Sequence, residues 1–194
     1  MSALTIILAR HAEKPQSGYP GPGTDVDGND DDKSLVVRGW QRAGAWAALF
    51  GSGLGSEGYP RPGIVYAAKP EPIAKKAKFS HRPYETAIPT AQRLGLEPIT
   101  KFGVGNEKDL VAEVLDLTGV VLIFWEHKAI AGSIMPLLCG SQKIPGVPKE
   151  WDGNRFDVAF RFDRALPSAP WSFRQLSPIL LSGDSEAPFK ERTE

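Results

Sequence analysis

Two short apolar runs, each ending abruptly in a histidine, constrain this chain more than anything else in it. Leu4 to Ala9 stops at Arg10-His11, and Gly119 to Trp125 stops at Glu126-His127. Unbroken β-prone runs of this length read as strands buried on both faces. The first charged and imidazole groups after them therefore sit at strand carboxyl ends, and in an open α/β sheet ligands bind in the crevice outside those ends.

The rest of the chain supplies what such a sheet needs. A loop rich in glycine, proline and aspartate covers Pro15 to Lys33. Trp40, Ala43, Ala47 and Phe50 then recur at helical spacing until a glycine cluster, Gly51 to Gly58, ends the pattern. Ile64 to Ala68 reads as another buried strand, followed by a basic, proline-punctuated excursion from Lys69 to Phe79 that leads into Ser80-His81-Arg82. Tyr84 to Leu94 has a helical pattern, kinked or started at Pro89. Asn106 is placed to cap a helix running to Leu117. After His127 a further helix turns Ile130, Ile134 and Leu137 or Leu138 inward and stops at Gly140. Val158, Phe160 and Phe162, then Trp171, Phe173 and Gln175, alternate with their neighbours as an antiparallel hairpin at a sheet edge would. Strands alternating with helices predict an α/β sheet with helices on both faces, a three-layer α/β/α sandwich that is mostly parallel with a late antiparallel hairpin.

Length and charge set the bounds. The 194 residues are expected to form one domain, 1–194, with insertions at about 15–34 and 69–79 and a loosely held tail after about 183. Lys plus Arg equals Asp plus Glu at 23 each, so no global field draws nucleic acid or anionic lipid, and any anion site is local. Cys139 is the only cysteine, which excludes an intramolecular disulfide framework and a cysteine-based zinc cluster. No apolar stretch approaches the roughly 20 residues of a membrane span. With no basic residue before Arg10 to begin a signal peptide, the expected location is cytoplasmic.

Several motif matches dissolve in context. Gly53, Gly55 and Gly58 have dinucleotide-loop spacing but follow a helix instead of joining a strand to one. Asp25, Asp27 and Asn29 begin like a calcium loop, but Asp30 stands where glycine is needed and Val36 where a bidentate glutamate is needed. What remains is Arg10-His11, Arg82 and His127. A lone histidine after a strand is more often a hydrogen-bonded loop residue than a catalyst. Two guanidinium and two imidazole groups at one mouth, however, repel one another unless an anion joins them, and arginine's planar fork matches phosphate oxygens. A neutral histidine is a nucleophile toward phosphorus, and nearby arginines keep it neutral.

The segment Ile6 to Lys14, IILARHAEK, resembles the opening of the histidine phosphatase superfamily, whose first strand ends in an arginine and a nucleophilic histidine. Three further segments fall in that family's order. Leu35-Val-Val-Arg-Gly39-Trp-Gln-Arg42-Ala43 resembles its first-helix signature, and Arg82-Pro-Tyr-Glu85-Thr86-Ala87 resembles its arginine, acid, threonine and alanine. Val121 to His127 resembles the strand that presents the second histidine. The chain departs from the pattern with Ala12 and Lys128 where glycine is usual, and with a longer link before Arg82.

The resemblance implies a phosphoglycerate-mutase-like fold and a metal-independent phosphatase without a cofactor. His11 would be the nucleophile, with Arg10, Arg82 and His127 holding phosphoryl oxygens. Glu107, 25 residues beyond Arg82, would be the general acid, with Glu126, Glu85 and Glu13 as rivals. Lys14, Glu126 and Lys128 are expected to bind the rest of the substrate, a small phosphorylated metabolite or a phosphoprotein. The alternatives are a phosphomutase of the same superfamily, for which the 15–33 loop could serve as a lid, and a non-catalytic phosphate- or phosphoprotein-binding module.

Overall fold

The computed structural model describes residues 3–52, 58–71 and 79–189. Five strands form one sheet: β1 (Leu4–Arg10), β2 (Ile64–Ala67), β3 (Gly119–Trp125), β4 (Ala159–Arg164) and β5 (Ser172–Leu176), in the spatial order β2-β3-β1-β4-β5. β2, β3 and β1 run parallel, and β4 and β5 close one edge as the antiparallel hairpin that the alternation of Phe160, Phe162 and Phe173 predicts. Among the described residues five α-helices accompany the sheet: α1 (Val37–Gly51), α2 (Arg82–Leu94), α3 (Glu107–Leu115), α4 (His127–Ala129) and α5 (Met135–Cys139).

The strand pleat sends alternate side chains to opposite faces. Along β1, Leu4, Ile6 and Leu8 enter one core with Leu110, Val114, Ile130 and Ile134. Ile7 and Ala9 enter the other with Trp46, Phe50, Ala87 and Ala91 of α1 and α2. Both faces of β1 are thus dry, which is why the run is apolar without alternation. The result is the expected three-layer sandwich. Among the described residues no helix is long and apolar enough to cross a membrane.

Local expectations fail in instructive places. Pro89 neither starts nor interrupts α2, which begins seven residues earlier at Arg82 and carries the proline inside it. Asn106 occupies the position before α3 but its side chain makes no cap, and α3 ends at Leu115, short of Leu117. Between α4 and α5 the backbone widens into a π-helical turn, Ile130–Ile134, and Leu138, not Leu137, is the buried leucine. The tail expected to be loose beyond Gly183 is pinned as far as Phe189. Asp184 takes both terminal nitrogens of Arg42 at 2.7 and 3.0 Å, Asp157 accepts the Ser185 amide, and Phe189 packs on Trp151 and Phe160. Most of the basic excursion at 69–79, and most of the glycine cluster after α1, lie outside the described residues.

Candidate active site

The parallel register pairs Arg10 with Trp125, so the two strands end side by side, and the His11 amide donates to the Trp125 carbonyl at 3.0 Å. The two histidines that the sequence leaves 116 residues apart are delivered to one mouth by this pairing. His11 and His127 both line a cavity of about 310 Å³, together with Lys14, Arg82, Glu126 and Lys128. Ala68, Phe79, Pro83 and Val104 give it an apolar wall.

His11 is 5% exposed and held by its own chain: Nδ1 lies 2.8 Å from the Ala12 carbonyl oxygen. A carbonyl can only accept, so the Nδ1 proton is donated to it. The lone pair then resides on Nε2, which has no hydrogen-bond partner among the described residues. Burial first, and then the Arg10 guanidinium, hold this imidazole's pKa well below its ordinary value. The ring is neutral and its free nitrogen is unprotonated, the form a nucleophile needs.

Each arginine is aimed by backbone carbonyls. Arg10 is 1% exposed, stacks 3.8 Å over the Phe156 ring and donates from one terminal nitrogen to Gly153 and Arg155. Burial lowers its pKa to about 10, which leaves it charged at neutral pH, and its Nε is buried without a partner. Arg82 donates from Nε to the Ser34 carbonyl at 3.1 Å and from Nη2 to the Asp32 carbonyl. Thr86 joins this arginine to the His11 segment: its hydroxyl donates to the Arg82 carbonyl at 2.7 Å and accepts the Ala12 amide at 2.9 Å. The arginine-to-threonine spacing that resembles the family signature is one helical turn, which is the reach this link requires.

The remaining sequence candidates divide cleanly. Glu126 belongs to the cavity. One of its oxygens lies 2.9 Å from His127 Nδ1, and the other accepts the Ala129 amide at 2.8 Å. Although burial opposes it, the contacts with His127 and the backbone amides hold the Glu126 carboxyl at about 2. Glu107 does not line the cavity. Its oxygens accept the Gly105 amide at 2.9 and 3.1 Å and the buried Trp125 indole at 3.0 Å, which ties the 103–105 loop to the end of β3. Spacing along the chain brought Glu107 near the mouth, but its carboxylate turns back into the scaffold. Glu85 accepts the Ser34 hydroxyl and the Leu35 amide, and Glu13 is fully buried against Arg42. Neither faces the substrate space.

His81 went unremarked in the sequence, where only its neighbour Arg82 carries a motif. It stands immediately before α2, with Nδ1 3.0 Å from an Asp31 carboxylate oxygen, and it helps clamp the 31–35 segment to the start of that helix. Its partner is 50 residues away, so no local pattern announces it. Lys69, Glu71, Phe79 and Val104 also line the cavity without a sequence signal. The first-helix glycine does have a structural reason: a Cβ on Gly39 would sit 2.4 Å from the Glu13 carbonyl oxygen, so only glycine lets α1 pack against the segment that follows His11.

No family model and no curated protein sequence matches the chain. Among solved structures it is similar to the native structure of a mycobacterial glucosyl-3-phosphoglycerate phosphatase. The identity is 14%, the match covers 90% of this chain and 99% of that one, and the TM-score is 0.50. At that identity the likeness establishes the fold alone, a mixed α/β sheet with helices consistent with the phosphoglycerate-mutase-like fold.

Proposed function

We propose that this fold carries a phosphomonoester hydrolase that works through a phosphohistidine on His11. The observation that supports it most is the state of that ring: neutral, its proton committed to the Ala12 carbonyl, and Nε2 free at the cavity. In the first step the Nε2 lone pair attacks phosphorus, a P–N bond forms and the P–O bond to the leaving oxygen breaks in line with it, that oxygen taking a proton from solvent to leave as the alcohol while the water of the second step gives one back. Arg10, Arg82 and His127 stabilise the charge on the phosphoryl oxygens, a role that suits donors already fixed in orientation before the substrate arrives. In the second step water attacks phosphorus from the side the alcohol has left, the P–N bond breaks, and His11 returns to its neutral form. Alcohol and inorganic phosphate are the products. Glu126, held ionised, acts by fixing His127 and not by donating a proton.

The test is direct. During turnover of p-nitrophenyl phosphate, quenching without acid is expected to trap an acid-labile, base-stable phosphoryl adduct on the peptide containing His11. His11→Asn is expected to lose both the adduct and phosphate release, by about 10³-fold or more, while melting like the wild type. An adduct on serine or aspartate would overturn the mechanism.

A further inference from the structure

Arg10 is held by one short stretch of chain. Its Nη1 donates to the Gly153 carbonyl at 2.7 Å and to the Arg155 carbonyl at 3.2 Å, and the next side chain, Phe156, lies against the guanidinium with 3.8 Å between its central carbon and the ring centroid. Two carbonyls on one nitrogen fix the rotation of the fork within its plane, and the ring face fixes the plane itself. A ring face takes up none of the N–H groups, and Arg10 Nε stays buried without a hydrogen-bond partner among the described residues. The stretch is itself anchored. The Trp151 indole donates to the same Arg155 carbonyl at 2.9 Å, and the Arg155 side chain reaches Asp157 at 2.6 Å and the Ala187 and Ser185 carbonyls at 2.9 and 3.1 Å.

Arg10 is 1% exposed and makes no ion pair among the described residues. A carboxylate set against it would offset the cost of burying the charge, but would also neutralise the charge that a phosphoryl group needs. An aromatic face attracts a cation through its quadrupole and adds no competing anion. Phe156 is buried as deeply as the arginine. Its ring stands 6.0 Å from the His11 ring, tilted at 56°, and makes a T-shaped contact with Tyr19 at 5.6 Å, both within the range of paired rings. One side chain therefore adjoins both groups on which the transfer depends. We propose that Phe156 is a positioning residue for phosphoryl transfer: its ring face, by cation–π contact, holds the Arg10 guanidinium in the plane from which it meets the phosphoryl oxygens. This inference rests on the phosphatase reading and adds to it a residue that no motif in the sequence marks. A donor that keeps its plane has no reorganisation to make as charge develops, so the effect falls on the rate of the chemical step more than on binding.

The experiment replaces Phe156 in the full chain by mono-, di- and trifluorinated phenylalanine, which draw electrons from the ring face with little change of shape, and separately by leucine, Phe156→Leu, which fills much of the space without a face. Single-turnover phosphorylation of His11 by p-nitrophenyl phosphate is measured over a range of substrate concentrations. The maximal rate is expected to fall with each added fluorine, by about tenfold at three, while the half-saturating concentration stays within about threefold; Phe156→Leu is expected to lose about 30-fold. A rate that does not change along the fluorinated series overturns the inference, whether or not the leucine variant is slow, because volume alone then accounts for the ring. A fall confined to the half-saturating concentration overturns it as well. If the wild type never labels His11, the phosphatase reading fails instead, and the ring is judged on Arg10 itself. The Arg10 Nε–H resonance, assigned by its absence in Arg10→Lys, is expected to exchange with water at least about threefold faster with three fluorines in the ring. An unchanged exchange rate overturns the hold of Phe156 on Arg10.

Discussion

The floor of this cavity and its rim are built on opposite plans. At the floor the polar groups are tied down: His11 Nδ1 to its own chain, Arg10 to two carbonyls, Arg82 to two more, and Thr86 bridging the last to the first. At the rim, the ammonium groups of Lys14 and Lys128 make no ion pair among the described residues, and Phe79 and Val104 remain about one-third exposed. Fixed donors cost nothing to reorganise when charge develops on a transferring phosphoryl group, which is what catalysis asks of a floor. Unpartnered cations on long stems can follow substrates of different shape, which is what recognition asks of a rim. On the proposed reading, the orientation of the groups at the floor is over-determined by the fold and that of the rim is not.

The strongest way to break that contrast is to unseat the floor from beneath. Arg42 joins Glu13, two residues past His11, to Asp184 in the tail, and all three side chains are at most 2% exposed. Removing the guanidinium leaves the two buried carboxylates only Arg38, a partly exposed cation 3.3 Å from Glu13 and 3.7 Å from Asp184. Arg42→Met is expected to cost about 3–5 kcal/mol of stability, or on the order of 10 °C in melting temperature for a domain of this size. Thermal unfolding with phosphate absent measures it. A loss below about 1 kcal/mol would mean that the network under His11 is not what holds it.

How much of this was legible beforehand follows the same division. The two strands could be read because a strand buried on both faces leaves an unbroken apolar run; that they lie side by side in parallel register, with both carboxyl ends at one edge, is seen only in the sheet. Thr86 was legible as part of a motif, although its role as the bridge between Arg82 and Ala12 was not. Contacts made by closure over long separations left no trace. Arg10 finds its carbonyls at Gly153 and Arg155, more than 140 residues away. Asp184 lies in a stretch whose glycine and serine read as a free tail, while its partner Arg42 is hidden on the inner face of α1. Glu107 shows a different gap: spacing locates a residue along the chain but not the direction of its side chain, and here a tryptophan indole two residues before His127 donates to its carboxylate.

A smaller effect is expected at the boundary between floor and rim, where Glu126 meets His127. Its carboxyl is held at about 2 against an ordinary 4.5, so the folded state prefers it ionised. For a carboxylate with a depressed folded pKa, the stabilisation is complete above the unfolded value and disappears as pH falls through the folded one. Glu126→Gln is therefore expected to lose on the order of 2 kcal/mol at pH 6, discounting the part of the group that water reaches. The gap from wild type should narrow steadily between about pH 4.5 and pH 2. Melting curves across that range check it, and a gap independent of pH would show that the charge of Glu126 does not matter.

The smallest effect sharpens the comparison by asking to which side Glu107 belongs. As part of the floor's scaffolding it accepts the Gly105 amide and the Trp125 indole. Glutamine keeps one carbonyl oxygen to accept with and replaces the other by a donor, so Glu107→Gln retains part of this arrangement and sets an NH₂ group against one of those N–H donors. A loss of about 1–2 kcal/mol is expected, in the range for a disturbed buried hydrogen bond. Were Glu107 instead the acid that protonates the leaving oxygen, its loss would fall selectively on poor leaving groups. An alkyl phosphate would be slowed by about 10² to 10⁴, while p-nitrophenyl phosphate, whose phenolate departs almost unaided, would be nearly unaffected. Single-turnover phosphorylation of His11 by the two substrates separates these outcomes, because it excludes the later attack by water. The geometry predicts equal, slight slowing of both together with the small loss of stability. Selective slowing of the alkyl ester would move Glu107 from the scaffold into the reaction and would require the 103–105 loop to open when substrate binds.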